Sequence, residues 1–180
     1  MKAEVDFTVL PYDSSERGSL SDILVDELQS EEWNRLQMAV AFAKNSLERH
    51  GLLLQTLQNF VREDGKLEVT VGADVFGGEA KGTDYDAVNR LLSIIEQSEN
   101  AEFYLYHEGG RTFHPKVYFF SNEPENRALL IVGSSNLSDG GLRNNIEANV
   151  RVSFDLEEES HRQEYERIKE IFSKYWTEEE

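Results

Sequence analysis

The 180-residue chain contains no cysteine, which excludes a disulfide framework, thiolate zinc sites and a cysteine nucleophile together. It also lacks a long apolar run. The longest, such as Ala128-Leu129-Leu130-Ile131-Val132, are strand-sized, and Met1-Lys2-Ala3-Glu4-Val5-Asp6 has no basic stretch followed by an apolar one. Neither a transmembrane span nor a secretory signal is expected, and the chain reads as a cytoplasmic protein with no membrane partner. Basic charge is scarce too: 18 Lys and Arg against 35 Asp and Glu leave a formal charge of −17. That total repels phosphate polymers at long range and argues against a broad basic grip on nucleic acid. Much of the excess lies in discrete runs, Glu31-Glu32, Glu157-Glu158-Glu159 and Glu178-Glu179-Glu180, which read as solvated ends of elements and leave room for a local cleft. Such a surface also suits a protein adapted to high salt, where self-repulsion is screened. Internal repeats, low-complexity segments and the phosphate-loop pattern Gly-x4-Gly-Lys-Ser are all absent.

What is present is alternating periodicity. Val5 to Leu10 is a β-prone run closed by Pro11, and Leu20, Ile23, Leu24 and Leu28 recur at helical spacing; residues 1–30 read as an N-terminal extension. Arg35 to Ala43 suits a buried strand, and Leu53, Leu57, Phe60 and Val61 mark a helical face that Asp64-Gly65 ends. Leu67, Val69 and Val71 alternate with Glu68 and Thr70 as a strand, and a Gly-rich loop from Gly72 to Gly82 leads to a helix marked by Tyr85, Val88, Leu91, Leu92 and Ile95. Strands follow at Phe103–Tyr106, Val117–Phe120, Leu129–Val132 and Ala148–Phe154, then a helix carrying Tyr165, Ile168, Phe172, Tyr175 and Trp176. The order predicts an α/β (α+β sandwich) domain over residues 31–176, with a mixed sheet and helices on both faces, before an acidic tail at 177–180.

The chemistry concentrates between Phe113 and Val150. Three polar pairs stand two residues apart beside strands: His114 and Lys116 start one, Ser134 and Asn136 end the next, Asn145 and Glu147 start the third. Extended chain alternates faces, so each pair points one way, and Pro115, Ser135 and Ile146 point the other. Strands that bring these ends together would gather an imidazole, an ammonium, a hydroxyl, amides and a carboxylate, a set suited to a phosphodiester. Lys116, Asn136 and Ser134 can donate to phosphate oxygens, His114 can attack phosphorus or move a proton, and Glu147 can orient an imidazole. Arg111 and Arg143 stand within a few residues of these pairs and can add positive charge at the phosphate. A metal reading from His107, Glu108 and His114 lacks close ligand spacing, so no metal or other cofactor is expected. Each pair taken alone also fits a turn or strand start. His50 and His161 read as ordinary surface residues, Trp33 and Trp176 as packing anchors, and Asp74, Thr83 and Asp84 as residues bordering the approach to the site.

Taken in order, His114-Pro-Lys116, then Gly133-Ser134-Ser135-Asn136-Leu137-Ser138-x-Gly140-Gly141-Leu142, then Asn145-Ile-Glu147, resembles the active-site signature of the phospholipase D superfamily. The likeness is to its single-motif branch of metal-independent endonucleases and helicase-associated or restriction nuclease domains. It extends back through Val40-Ala41-Phe42-Ala43 and Val71-Gly72-Ala73-Asp74, covering roughly residues 33 to 176. It implies a phospholipase D-like fold and carries over residue by residue. His114 matches the histidine that becomes phosphohistidine, Lys116 and Asn136 match phosphate ligands, Ser134 follows the motif glycine, and Glu147 matches the carboxylate that holds histidine. The family pattern would place an aspartate at position 121, where this chain has Ser121.

Family chemistry uses two histidines, and only one His-x-Lys set occurs here. The resemblance therefore implies a nuclease hydrolysing DNA or RNA in a homodimer with its active site at the interface, either as a domain of a larger restriction, repair or helicase protein or as a small protein complete in itself. Two alternatives stay open: a catalytically silent nucleic-acid-binding or dimerisation module of the same fold, and a lipid phosphodiesterase, against which the lack of an apolar interfacial helix counts.

Overall fold

A computed structural model of the protein describes residues 4–13, 18–73 and 82–175. Within them the alternating runs form seven strands, β1 (Glu4–Leu10), β2 (Arg35–Val40), β3 (Lys66–Gly72), β4 (Ala101–Tyr106), β5 (Lys116–Asn122), β6 (Arg127–Gly133) and β7 (Glu147–Asp155). They form one mixed sheet in the order β1-β7-β6-β5-β2-β3-β4. Strands β2, β3 and β4 run parallel, while β5, β6, β7 and β1 pair antiparallel. As a result the C-terminal ends of β1, β2, β3, β4 and β6 and the N-terminal ends of β5 and β7 share one edge of the sheet.

Helices α1 (Leu20–Gln29), α2 (Gly51–Arg62) and α3 (Tyr85–Ile95) cover one face. Ser19 starts α1 with a reciprocal cap: the Asp22 amide donates to Ser19 Oγ at 3.3 Å, and the Ser19 amide donates to the Asp22 carboxylate at 2.8 Å. Leu20, Ile23, Leu24 and Leu28 of α1 and Leu53, Leu57, Phe60 and Val61 of α2 are buried, as their spacing predicts. The face of α3 is rotated from the expected one: Ala87, Leu91, Ile94 and Ile95 are buried, while Tyr85 is 76% exposed. With β-strand residues Val40, Val71, Tyr118, Phe120 and Ile131 these side chains make the main core.

Helix α4 (Glu159–Ser173) covers part of the opposite face, packing Tyr165 and Phe172 on Phe119, Ala128 and Phe154. His161 is buried here rather than on the surface. Its Nδ1 accepts from the Asp155 amide at 3.2 Å and its ring meets Phe154 edge-on, so charged neighbours such as Arg162 point away while it packs inward. Trp33 stacks obliquely on Phe120 as a packing anchor. The alternation in β3 suggests one wet face, yet Glu68 and Thr70 are buried too. Arg35 compensates Glu68 with two hydrogen bonds of 2.6 and 2.8 Å, which a central strand needs when both faces are covered. Strand β1 and helix α1 are continuous with the sheet and core: β1 pairs with β7 from Glu4–Ser153 to Leu10–Glu147, and α1 packs on α2. Asp74 and Trp176 lie outside the described residues.

Candidate active site

The strand order sets β5, β6 and β7 side by side, so the three polar pairs meet at one sheet edge. Lys116 opens β5 opposite Val40 and is 7% exposed, with its stem in the core face. Its Nζ lies 2.8 Å from His114 Nδ1 and 3.1 Å from Nε2, and donates to the His114 carbonyl at 3.0 Å. An ammonium only donates, so of the two ring nitrogens within reach it can bond only the one without a proton in the neutral imidazole. Burial pushes the Lys116 pKa below its ordinary value, and the Glu147 charge works against that shift. His114 itself is exposed at the rim.

At the end of β6, Gly133 is required by close approach: a Cβ there would stand 2.1 Å from the Ala148 carbonyl oxygen and 2.4 Å from Asn149 Oδ1. This brings Ser134 across to β7, where its hydroxyl donates to the Glu147 carboxylate in a short hydrogen bond and accepts from the Ala148 amide at 3.1 Å. Glu147 also accepts from Asn145 Nδ2 at 3.2 Å, so the Asn145 and Glu147 side chains share a side. In this chain Glu147 thus holds Ser134 and Asn145 and acts on Lys116 through its charge. Ser135 points oppositely and is fully buried, bonded by Asn149 Nδ2 at 3.0 Å, while Tyr118 donates to its carbonyl at 3.0 Å. Burial holds the Tyr118 phenol well above its ordinary pKa, so it stays a donor beneath the site.

Asn136 is 8% exposed, and its Oδ1 accepts from the Phe42 amide at 3.2 Å. That bond engages Oδ1 as an acceptor and leaves Nδ2 as the end of the amide that can donate. Two residues expected near the phosphate are engaged elsewhere. Arg143 pairs with Asp22 at 2.9 Å and Arg111 with Glu108 at 3.2 Å. Thr83 is buried and donates to the Gly72 carbonyl at 2.9 Å, and Asp84 accepts from Lys44 at 3.3 Å and from the Asn45 amide at 2.8 Å. Sequence reasoning missed Asp139 and His50. Asp139 occupies the variable position inside the motif, and His50 follows charged Glu48 and Arg49 yet is buried against it. Among the described residues no group of three His, Asp or Glu is placed to hold a metal, and no helix is long and apolar enough to cross a membrane.

The domain family described as "Cardiolipin synthase, PLD-like domain" matches residues 15–176. The chain belongs to this phospholipase D-like family. Among solved structures, the phospholipase D-like fold of this chain is similar to NucT from Helicobacter pylori, at 12% identity and a TM-score of 0.63, over 97% of this chain and 96% of that one. It is likewise similar to Nuc from Salmonella typhimurium, a phospholipase D family member, at 12% identity and a TM-score of 0.66, over 97% and 95%. Polyphosphate kinase from Porphyromonas gingivalis shares the fold over 82% of this chain and 23% of its own, at 13% identity and a TM-score of 0.53. No curated protein matches the chain.

The phospholipase D-like motif departs from its family pattern at Ser121. Ser121 is buried and pairs with Arg35 and Ala128 at the far end of β5. Five residues of strand at about 3.3 Å each put it roughly 16 Å from Lys116. An aspartate at this position would stand outside the gathered site.

Proposed function

We propose that this phospholipase D-like protein is a phosphodiesterase acting on nucleic acid, with His114 as the attacking group and two copies completing the site. The observation that carries the reading is the gathering of His114, Lys116, Ser134, Asn136 and Glu147 at one sheet edge, with the Lys116 ammonium on the His114 ring. An unprotonated ring nitrogen of His114 attacks phosphorus. The ester oxygen leaves with its electron pair and takes a proton from a second imidazole. Water then attacks the phosphohistidine, returns a proton to that imidazole and frees His114. Lys116 Nζ and Asn136 Nδ2 donate to the non-bridging oxygens and stabilise the charge that builds there.

On this reading the second imidazole comes from outside the chain. His50 and His161 are buried, and His107 is not part of a second His-x-Lys set. A two-fold copy supplies one most simply. The sheet favours such a partner: opposite the main core, Phe7 pairs with Val150, Val150 with Val132 and Val132 with Val117 in one apolar row. Phe7 is 60% and Val132 38% exposed, beside the edge that carries His114. Nucleic acid rather than lipid fits a chain whose described helices each bury an apolar face on the sheet. The −17 total limits binding to a few local phosphate contacts.

The test is cleavage of labelled single- and double-stranded DNA in the presence of chelator. The protein should cut, and His114→Ala should lower the rate by a factor of about 10³ or more while sedimenting as the same oligomer. Cleavage that survives His114→Ala removes the proposed nucleophile. Cleavage lost in chelator and restored by metal removes the phosphohistidine route. A dimer that binds DNA without cutting it makes the protein the silent binding module.

A further inference from the structure

The loop after β6 is cross-linked, step by step, to the segment that follows β2. The Phe42 amide donates to Asn136 Oδ1 at 3.2 Å, the Lys44 amide to the Leu137 carbonyl at 2.9 Å, and the Asp139 amide to Ser46 Oγ at 3.0 Å. At the end of this ladder the Asp139 carboxylate accepts from His50 Nε2 at 3.2 Å, Arg49 Nη1 at 3.1 Å and Asn144 Nδ2 at 2.7 Å. His50 is 5% exposed, and Ser21 Oγ of α1 lies 3.1 Å from its Nδ1. A carboxylate only accepts, so Nε2 carries the proton and Nδ1 accepts from the Ser21 hydroxyl. Burial keeps the imidazole below its ordinary pKa, with the Asp139 charge opposing, which favours this neutral form.

Serine, histidine and aspartate in a row also make a nucleophilic triad, but Ser21 is 4% exposed and offers no approach to a substrate. As a stabilising device the row is poor, because a buried polar pair gains little over apolar side chains of the same volume. What it supplies is direction. Asp139 stands three residues after Asn136 and eight before Glu147, and its Asn144 bond ties down the turn at Gly140–Asn144 that leads into β7. Gly141 packs directly on the Asn136 backbone, where a Cβ would come within 2.4 Å of its carbonyl oxygen.

We infer that His50 and Asp139 form a positioning pair for the phosphate-binding loop, fixing the run from Asn136 to Glu147 so that the Asn136 donor and the Glu147 carboxylate face the phosphate that His114 attacks. This rests on the phosphodiesterase reading of that site. Neither residue touches substrate; each acts through Asn136 and Glu147.

The experiment compares the whole protein with His50→Ala, His50→Gln and Asp139→Asn, reading kcat and KM for single-stranded DNA cleavage together with the Asn136 side-chain amide signals in nitrogen-15 NMR. His50→Ala and Asp139→Asn should lower kcat about tenfold or more, with KM within about twofold, and should move or broaden the Asn136 amide signals. His50→Gln, whose amide nitrogen replaces the Nε2 donor, should recover most of kcat. Folded variants with wild-type kcat and unmoved Asn136 signals overturn the pairing, as does a His50→Gln protein as impaired as His50→Ala. If Asp139→Asn does not fold, the two His50 variants decide. If the unaltered protein cuts nothing, the phosphodiesterase reading falls alone, and the Asn136 signals still decide: moved supports the positioning pair, unmoved overturns it.

Discussion

Lys116, proposed to bind phosphate, shows what such a role costs the fold. Its stem lies in the main core while its ammonium is held at the rim by the His114 ring and carbonyl, and burial disfavours its charge. An apolar side chain of similar length would pack the same channel without that penalty. Lys116→Met should therefore abolish phosphodiester cleavage and raise the thermal midpoint by about 2–4 °C, for roughly 1 kcal/mol of added stability. A midpoint that falls would mean that the Lys116 hydrogen bonds contribute more than burial takes away. At this scale the i, i+2 spacing of His114 with Lys116 and of Asn145 with Glu147 was readable, because extended chain alternates faces whatever surrounds it. The partner of Glu147 was not readable. Its bond to Ser134 depends on β6 and β7 meeting at Gly133, a long-range fact. His50 was misread because local charge describes the exposed side of a turn, whereas burial of the ring depends on α1 and Asp139 arriving from elsewhere.

Between elements, the sheet edge decides whether isolated pairs become a site. All seven strands were legible from alternation or apolar runs, and so was the helical spacing of α1, α2 and α4. The rotation of α3 was not, since Tyr85 and Val88 match the period as well as Ala87 and Ile94 do; packing against β-strand neighbours chose between them. Nor does periodicity give the order β1-β7-β6-β5-β2-β3-β4, in which the first strand docks on the last. Gly133 is where that order matters most, because β6 leaves the sheet there against the backbone of Ala148 and Asn149. Gly133→Ala should force β6 and β7 apart at the site edge and cost about 1–3 kcal/mol, read as a lower urea midpoint. Cleavage should fall with it, since Ser134 and Glu147 face each other across the same gap. An unchanged midpoint would show that the two strand ends can separate freely.

For the molecule as a whole, the two faces of the sheet are unequally covered. Three helices close one face, whereas among the described residues α4 alone covers the other, leaving the row from Phe7 to Val132 open beside the His114 edge. An apolar sheet face of this kind, in a chain with −17 net charge, holds itself apart from most acidic neighbours and invites a partner that buries it by shape. The proposed two-fold copy would meet that need if β1 and β7 of one chain lay on the same row of the other, a stable pair needing about 800 Å² buried per partner. Phe7→Asp tests the arrangement with little risk to the fold, since an exposed edge-strand substitution usually changes stability by about 0.5 kcal/mol or less. The variant should keep its far-ultraviolet circular dichroism, sediment as a monomer and lose cleavage in proportion to the dimer lost, because on the proposed mechanism each His114 then lacks its second imidazole. A Phe7→Asp protein that remains dimeric and active would place the contact on another surface, and a monomer that still cuts would remove the need for the second copy.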